Sequence, residues 1–340
     1  YVPRTTLGEE GQASQGSAYF TAPNPPFGAV FTYYLEEGLR TREEQRREAE
    51  KKLEKEWKDT PHVGVAALER ERREPKPAMV LIVRDLAGEV VRSLSGPVGK
   101  GFHRVAWDLR YPSTSAVLAA GAAAAQDEDR EDGGSGFMAP PGRYTVTLAK
   151  RVDGVVTELA GPLEFEVRRV LAGALEGTAP ADTAAFLQQV AALERAVSAA
   201  GRSLSLGLDR VAVLEAALAR STSEPGTLDH ELEALKQRLY ELETALTGSR
   251  TKRSLGQPQL PTVAGRLRVA ASSDGQSDYG PTATHRRAFA IARAEYAALE
   301  PRLRALLEGE LPALEARMEA AGVPWTPGRP LPEVGGGREE

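Results

Sequence analysis

Apolar and polar side chains alternate at period two through residues 78–168. In Gly101-Phe102-His103-Arg104-Val105-Ala106-Trp107-Asp108-Leu109-Arg110, Val105, Trp107 and Leu109 fall on one face. Arg104, Asp108 and Arg110 fall on the other, the pattern of a half-buried strand. Residues 79–83 lead to Asp85-Leu86-Ala87-Gly88 and return through residues 89–94, which predicts a hairpin with Gly88 supplying a positive φ. Residues 144–148 run on to Asp153-Gly154, a two-residue hairpin signal, after which Leu163, Phe165 and Val167 alternate with Glu164, Glu166 and Arg168. Upstream, residues 29–35 place Phe31, Tyr33 and Leu35 on one face and predict a first strand. Short alternating strands with no helical pattern between them predict an antiparallel β-sandwich.

The segment between the first two strands has a different character. Residues 36–58 are charged and rich in helix formers, with Glu43/Arg47, Glu48/Lys52 and Glu54/Lys58 at the favourable i, i+4 spacing. Ala49, Leu53 and Trp57 leave a narrow apolar stripe, so the C-terminal half of this helix is expected to lean on a neighbour. Thr60-Pro61 ends it, and residues 66–74 form a second charged helix before Pro75 and Pro77. Residues 36–77 therefore read as a helical insertion. Residues 113–138 combine an alanine run, an acidic cluster and a Gly/Ser stretch, and read as a low-complexity surface loop.

After Val170 the period changes from two to seven. Phe186, Val190, Leu193, Val197, Ala200, Leu204, Gly207 or Leu208, Val211, Leu214 and Leu218 step by three and four, which predicts a helix of about 40 residues between Pro180 and the Ser221–Gly226 turn. Gly201 and Gly207 inside it either weaken it or let a neighbour come close. Thr227 is the expected cap of a second helix, with Leu228, Leu232, Leu235, Leu239, Leu242 and Leu246 in heptads up to Gly248. A long connection follows, with one short helical stretch near residues 263–271. The last helix spans residues 284–321; Phe289, Ala292, Tyr296, Leu299, Leu303 and Leu306 are followed by a shifted apolar phase at Leu307, Leu311, Leu314 and Met318, and Pro301 and Pro312 are expected to kink or split it.

The fold class is therefore α+β and multidomain: an antiparallel immunoglobulin/FnIII-like β-sandwich with a charged helical insertion, then an elongated antiparallel, coiled-coil-like bundle. The expected boundaries are residues 1–28 (extended linker), 29–170 (sandwich), 171–330 (bundle) and 331–340 (flexible tail).

Composition narrows the function. A net charge of -5 gives no global attraction to phosphate backbones, so a nucleic-acid partner is not expected. Without cysteine there is neither a disulfide nor a thiolate metal site. No apolar run approaches the length that spans a bilayer, and no signal peptide opens the chain.

Motifs for chemistry fail on spacing. His230-Glu231 lacks the second histidine of a zinc protease helix, and His62, His103, His230 and His285 lie on different elements. His103 reads as a core or edge histidine. Residues 96–101 have too short a glycine spacing for a P-loop and read as an inter-strand loop. Asp127, Asp129 and Glu131 alternate as Ca²⁺ ligands do, but Asp132 stands where the sharp turn needs glycine. Trp107 reads as the pillar of the sandwich core, and Asp108 as a partner of Arg104 or Arg110 or as a turn-stabilising acceptor. No Gly-x-Ser-x-Gly elbow is present, and no catalytic, cofactor-binding or metal-ligating residue is assigned. Arg250, Lys252, Arg253, Arg266, Arg268, Arg286 and Arg287 are the one basic concentration, a candidate contact for an acidic partner.

Residues 78–146 resemble the immunoglobulin/fibronectin-like module also found in flagellar hook-capping proteins. The quoted order is strand, Asp-x-x-Gly, Val-Val-Arg-x-Leu, Gly-x-His-x-Val-x-Trp-Asp and Pro-Gly-x-Tyr-x-Val. Nearly the whole chain resembles the C-terminal region of secreted bacterial proteins that carry a sortilin-like (BNR/YVTN-repeat) β-propeller. The matching stretches are residues 8–16, 21–35, 107–112 and 321–329. The resemblance brings no catalytic residue to this region. It implies an upstream β-propeller domain or chain as partner, contacted through residues 1–28, and other envelope proteins as partners of the bundle. It also implies a precursor longer than this chain, with the export signal upstream, and a secreted, periplasmic or cell-envelope location. The expected function is a non-enzymatic accessory region for docking or assembly. Two alternatives stay open: part of a glycan-acting propeller enzyme, and a structural subunit of an envelope or filament complex.

Overall fold

Trp107 sits at the meeting point of two antiparallel sheets. In the computed structural model, residues 25–117, 135–170, 176–222, 224, 226–273 and 279–332 are described. The chain divides into a sheet unit, Tyr1–Pro112 with Met138–Ala172, and a helical unit, Ser113–Phe137 with Gly173–Glu340. The architecture is mixed α and β, and its sheets are antiparallel. Four readings fall largely or wholly outside the described residues: the N-terminal linker, the first signature stretch, the acidic cluster and the C-terminal tail.

In the sheet unit, β1 (Ala29–Leu35) pairs with β4 (Gly101–Trp107). A second sheet has the order β3 (Val90–Gly96), β2 (Ala78–Asp85), β7 (Gly142–Val152), β8 (Val155–Val167). The short strands β5 (Arg110–Pro112) and β6 (Ser135–Met138) form a ribbon. Because alternate residues share a face, Tyr33, Leu35, Met79, Leu81, Val83, Trp107, Tyr144 and Val146 converge in one core. The indole of Trp107 meets Tyr144 edge-on at 5.3 Å and Phe165 at 6.0 Å. Burial pushes the Tyr144 hydroxyl up to about 12, and the hydroxyl donates to the Pro140 carbonyl at 2.6 Å.

The turns form where the sequence placed them. Asp85 Oδ1 accepts from the backbone of Ala87 and Glu89, and Gly88 takes φ 85°. Asp153 and Gly154 both have positive φ, as a two-residue hairpin requires. The Trp107 strand is shorter than the alternation predicts. It stops at Trp107 because Leu109 turns to φ 61°, a conformation stabilised by the Asp108 carboxylate accepting from Arg110 N at 2.9 Å.

The insertion folds as α1 (Arg42–Lys55) and α2 (Val65–Arg73). Thr41 and Glu44 form a capping box at the start of α1. Arg46 joins the two helices through a two-oxygen contact with Glu71, and also reaches Glu50. The apolar stripe expected along α1 does not form: neither helix has a buried residue, and Trp57 lies beyond α1, fully in solvent. For the same reason Lys58 pairs with Glu56 rather than with Glu54, while Glu43–Arg47 and Glu48–Lys52 form as spaced.

The helical unit begins with α3 (Pro180–Leu218), 39 residues long. Next come α4 (Thr227–Thr247), the short α5 (Arg250–Ser254) and α6 (Val263–Ala271), then α7 (Ala283–Arg304). Thr227 is the first residue of α4 rather than its cap; Gly226 occupies that place, its N–H donating to Asp229. The chain then passes through a π-helical turn at Ala305–Glu310 into α8 (Leu311–Ala320). Lys236 reaches Glu215, and Leu239 lies beside Gly207, so α4 runs antiparallel to α3. Phe186 meets Phe289, Tyr296 donates to the Ala196 carbonyl, and Arg210 binds Glu315, so α7 and α8 run parallel to α3. The apolar stripes of α3, α4, α6, α7 and α8 close on one another in a single core, to which α5 contributes no buried residue.

The last helix is neither split nor simply kinked. The buried residues Leu299, Leu303 and Leu306 are followed by Leu311, Leu314 and Met318, with a step of five at the π turn. A helix with i→i+5 bonds absorbs one extra residue per turn, so the stripe stays on the core. It also eases the clash an α-helix would suffer between the Pro312 ring and the carbonyl four residues back.

Residues 113–117 were expected within a loop of the sheet domain, yet they run along α3. Ala116 N donates to Ser198 Oγ at 2.9 Å, and Thr114 Oγ1 to Glu194 at 3.5 Å. Burial raises the Glu194 carboxyl above the ordinary glutamate range, partly opposed by the Thr114 contact. A carboxyl raised on folding stabilises the protein at low pH and withdraws that stability as pH climbs above about 4.3, the ordinary glutamate value. Glu194→Gln is therefore expected to raise the unfolding midpoint at pH 7. The gain should shrink toward zero as pH falls below 4, a trend that thermal melts across pH will check.

Candidate docking surface

Small side chains on α3 open a groove toward α7. Ala196, Ala199, Ala200, Ser203 and Gly207 recur at steps of three and four, so they share one flank of the helix. Facing them are Tyr296, Leu303 and Leu307. The groove encloses about 550 Å³. At Gly207 a Cβ would lie 2.6 Å from Leu307 Cδ2, so the glycine serves the close approach that the sequence allowed.

The rim is charged. Arg304 bonds Glu300 at 2.9 Å and reaches Glu308 at 3.6 Å, with all three side chains largely in solvent. At the lower end Arg210 binds Glu315 through both oxygens, at 3.1 and 2.6 Å, with the Glu315 side chain only 4% exposed. Gly328 lies 3.2 Å from the Arg210 Nε in the same sense, measured from its Cβ position. An apolar floor with a charged rim is the chemistry of a helix- or side-chain-accepting groove.

The signature stretch at residues 321–329 folds back beside this end of the unit. Val323 is buried, the Trp325 indole N–H donates to the Pro330 carbonyl at 2.9 Å, and the buried Arg329 binds Glu319 and the Pro324 carbonyl. These residues complete the unit's core and its polar closure.

The other residues singled out in the sequence are dispersed. His103 Nε2 sits 2.7 Å from the Gly99 carbonyl and its ring lies against Tyr33, so it is a satisfied edge histidine. Residues 96–101 join β3 to β4, with Tyr33 donating to the Pro97 carbonyl at 2.5 Å. His285 caps α7 together with Thr282.

The basic concentration separates. Arg250 pairs with Glu243 and Arg266 with Glu295, and Arg253 donates to the Thr247 carbonyl. Arg286 stacks on Phe186 at 5.3 Å. Four of the seven basic residues are thus engaged within the chain. Among the described residues no cluster of three or more His, Asp or Glu is placed to hold a metal ion, and no helix is long and apolar enough to cross a membrane.

Sequence reasoning missed the groove. Its signals were Gly207, which allowed a close approach, and the shift in apolar phase after Leu306, both silent about what they face. No known protein family, curated protein or solved structure matches the chain.

Proposed function

We propose that this chain is a non-enzymatic docking and assembly region of a secreted or envelope-associated β-propeller protein. The groove between α3 and α7 carries the reading: an open apolar floor of small residues, bounded by exposed Arg304, Glu300 and Glu308, suits a protein surface better than a reaction. Within this reading the sheet unit is an immunoglobulin/FnIII-like sandwich and the helical unit a coiled-coil-like bundle that serves as spacer and docking arm. The partners are the upstream propeller, met by the N-terminal part of the chain, and envelope proteins met by the helices.

Cross-linking mass spectrometry on material from the native source tests it. Cross-links from residues 1–35 or 36–77 to a propeller polypeptide, with others from α3 or α7 to an envelope protein, are the expected result. Turnover of chromogenic glycosides by the isolated chain, abolished by one carboxylate substitution, would replace this reading with an enzymatic one.

A further inference from the structure

Helix α1 ends in a Schellman motif. Lys58 N donates to the Leu53 carbonyl at 2.9 Å and Trp57 N to the Glu54 carbonyl at 3.1 Å, the six-to-one and five-to-two bonds of that motif. The residue that donates the five-to-two bond must adopt a left-handed conformation, the place where glycine is strongly favoured because it has no Cβ. Here that residue is Trp57, at φ 56°.

Tryptophan brings backbone strain to this position, and nothing in the fold returns it. The side chain is 97% exposed. A large aromatic in full solvent at a glycine position violates two local preferences together, and such violations concentrate at functional sites. Val65 opens α2 at the same end of the helix pair and is also exposed. Beside this tip, Lys51 and Lys55 share one face of α1 and make no ion pair among the described residues.

We infer that Trp57 is a docking knob for a second copy of this chain, and that it seats in the α3–α7 groove of that copy. The match is one of size and charge. The groove has room for an indole and an apolar floor to desolvate it, while its rim carboxylates Glu300 and Glu308 share the single guanidinium of Arg304, which leaves the rim net negative toward Lys51 and Lys55. The knob and the groove are different surfaces, so the contact is heterologous and builds open chains rather than a closed dimer. One aromatic anchor buries less than a stable interface needs, so the association is weak and strongly concentration-dependent. This inference rests on reading the groove as a docking surface.

Sedimentation velocity of the purified full chain at rising concentration tests it. The weight-average mass should climb for the native chain and stay monomeric for Trp57→Gly. Thermal unfolding of Trp57→Gly should match or exceed the native midpoint, which separates lost docking from lost fold. Ser203→Trp, filling the groove from an exposed position, should also abolish association. Lys51→Glu with Lys55→Glu should weaken it at least tenfold, and added salt should weaken the native chain likewise. A native chain that stays monomeric throughout, or association that survives both Trp57→Gly and Ser203→Trp, overturns the inference. So does a Trp57-dependent fluorescence shift on phosphatidylglycerol vesicles without self-association. A monomeric chain that still cross-links through α3 and α7 to another polypeptide leaves the docking reading standing and removes only the second copy as occupant.

Discussion

Replacing Leu235 and Leu239 together by aspartate is expected to unfold the helical unit. Both leucines are buried in α4, at 2% and 0% exposure, against the core shared with α3 and α7. Truncating one such leucine to alanine costs about 2–5 kcal/mol, and placing an unpaired carboxylate in the same space adds a desolvation penalty of several more. Two substitutions exceed the roughly 5–15 kcal/mol that stabilises a typical domain. Hydrogen exchange should report loss of protection throughout α3, α4 and α7, and far-UV circular dichroism a large fall in helix signal. Retention of the helical signal would mean that the heptad stripe of α4 is an outward surface, contrary to its burial. The single alanine variants should unfold cooperatively with lowered midpoints.

The second large effect belongs to Trp107. It is completely buried and contacts Tyr144 and Phe165, and its indole N–H donates to the Arg110 carbonyl at 2.9 Å. Trp107→Ala removes the side chain through which β4 meets β7 and β8, and is expected to cost about 3–5 kcal/mol. Trp107→Phe keeps most of the ring packing and forfeits the hydrogen bond, so the Arg110 carbonyl loses a partner at a cost of about 1–3 kcal/mol. Urea titration of both variants, followed by near-UV circular dichroism, orders them. Equal losses would show that packing of the indole contributes little, which the edge-on contacts argue against. Two of the three tryptophans give an internal contrast. Trp107 is expected to be essential to stability, whereas Trp57, in solvent at a glycine-favouring position, is expected to be dispensable to it.

Much of the architecture is legible in periodicity. Residues 29–35 form a strand over the full expected range, and residues 144–148 and 163–167 lie in the β7–β8 hairpin at Asp153-Gly154. The helix from Pro180 and the heptads from Leu232 to Leu246 bury the leucines that the three-and-four spacing selected. Such patterns survive because each strand or helix must present one apolar face to a core, whatever partner supplies it.

The failures share one cause. At α1 the stripe of Ala49, Leu53 and Trp57 looks like a buried face, but burial depends on a partner surface, and none is supplied among the described residues. The end of the helix is instead set by the Schellman bonds, which leave Trp57 in solvent. Residues 113–117 read as loop because they lack a pattern of their own; their hydrogen bonds come from Ser198 and Glu194, about 80 residues away. In the last helix, two prolines argued for a break, whereas core packing kept it continuous through a π turn.

The candidate site was almost illegible. Its floor consists of alanine, serine and glycine, which carry no chemical signature, and its walls come from helices about 100 residues apart. The sequence by itself determined the two kinds of structure in this chain, the positions of their turns and the side chains that enter the two cores. Those depend on local periodicity and on backbone preferences at particular residues. Only the tertiary structure decided that α7 lies parallel to α3 and leaves a groove beside it, that Arg210 meets Glu315, and that Trp57 stays in solvent among the described residues. Each is a fact about distance between remote residues, and helix faces of equal apolarity do not specify which neighbour they will take.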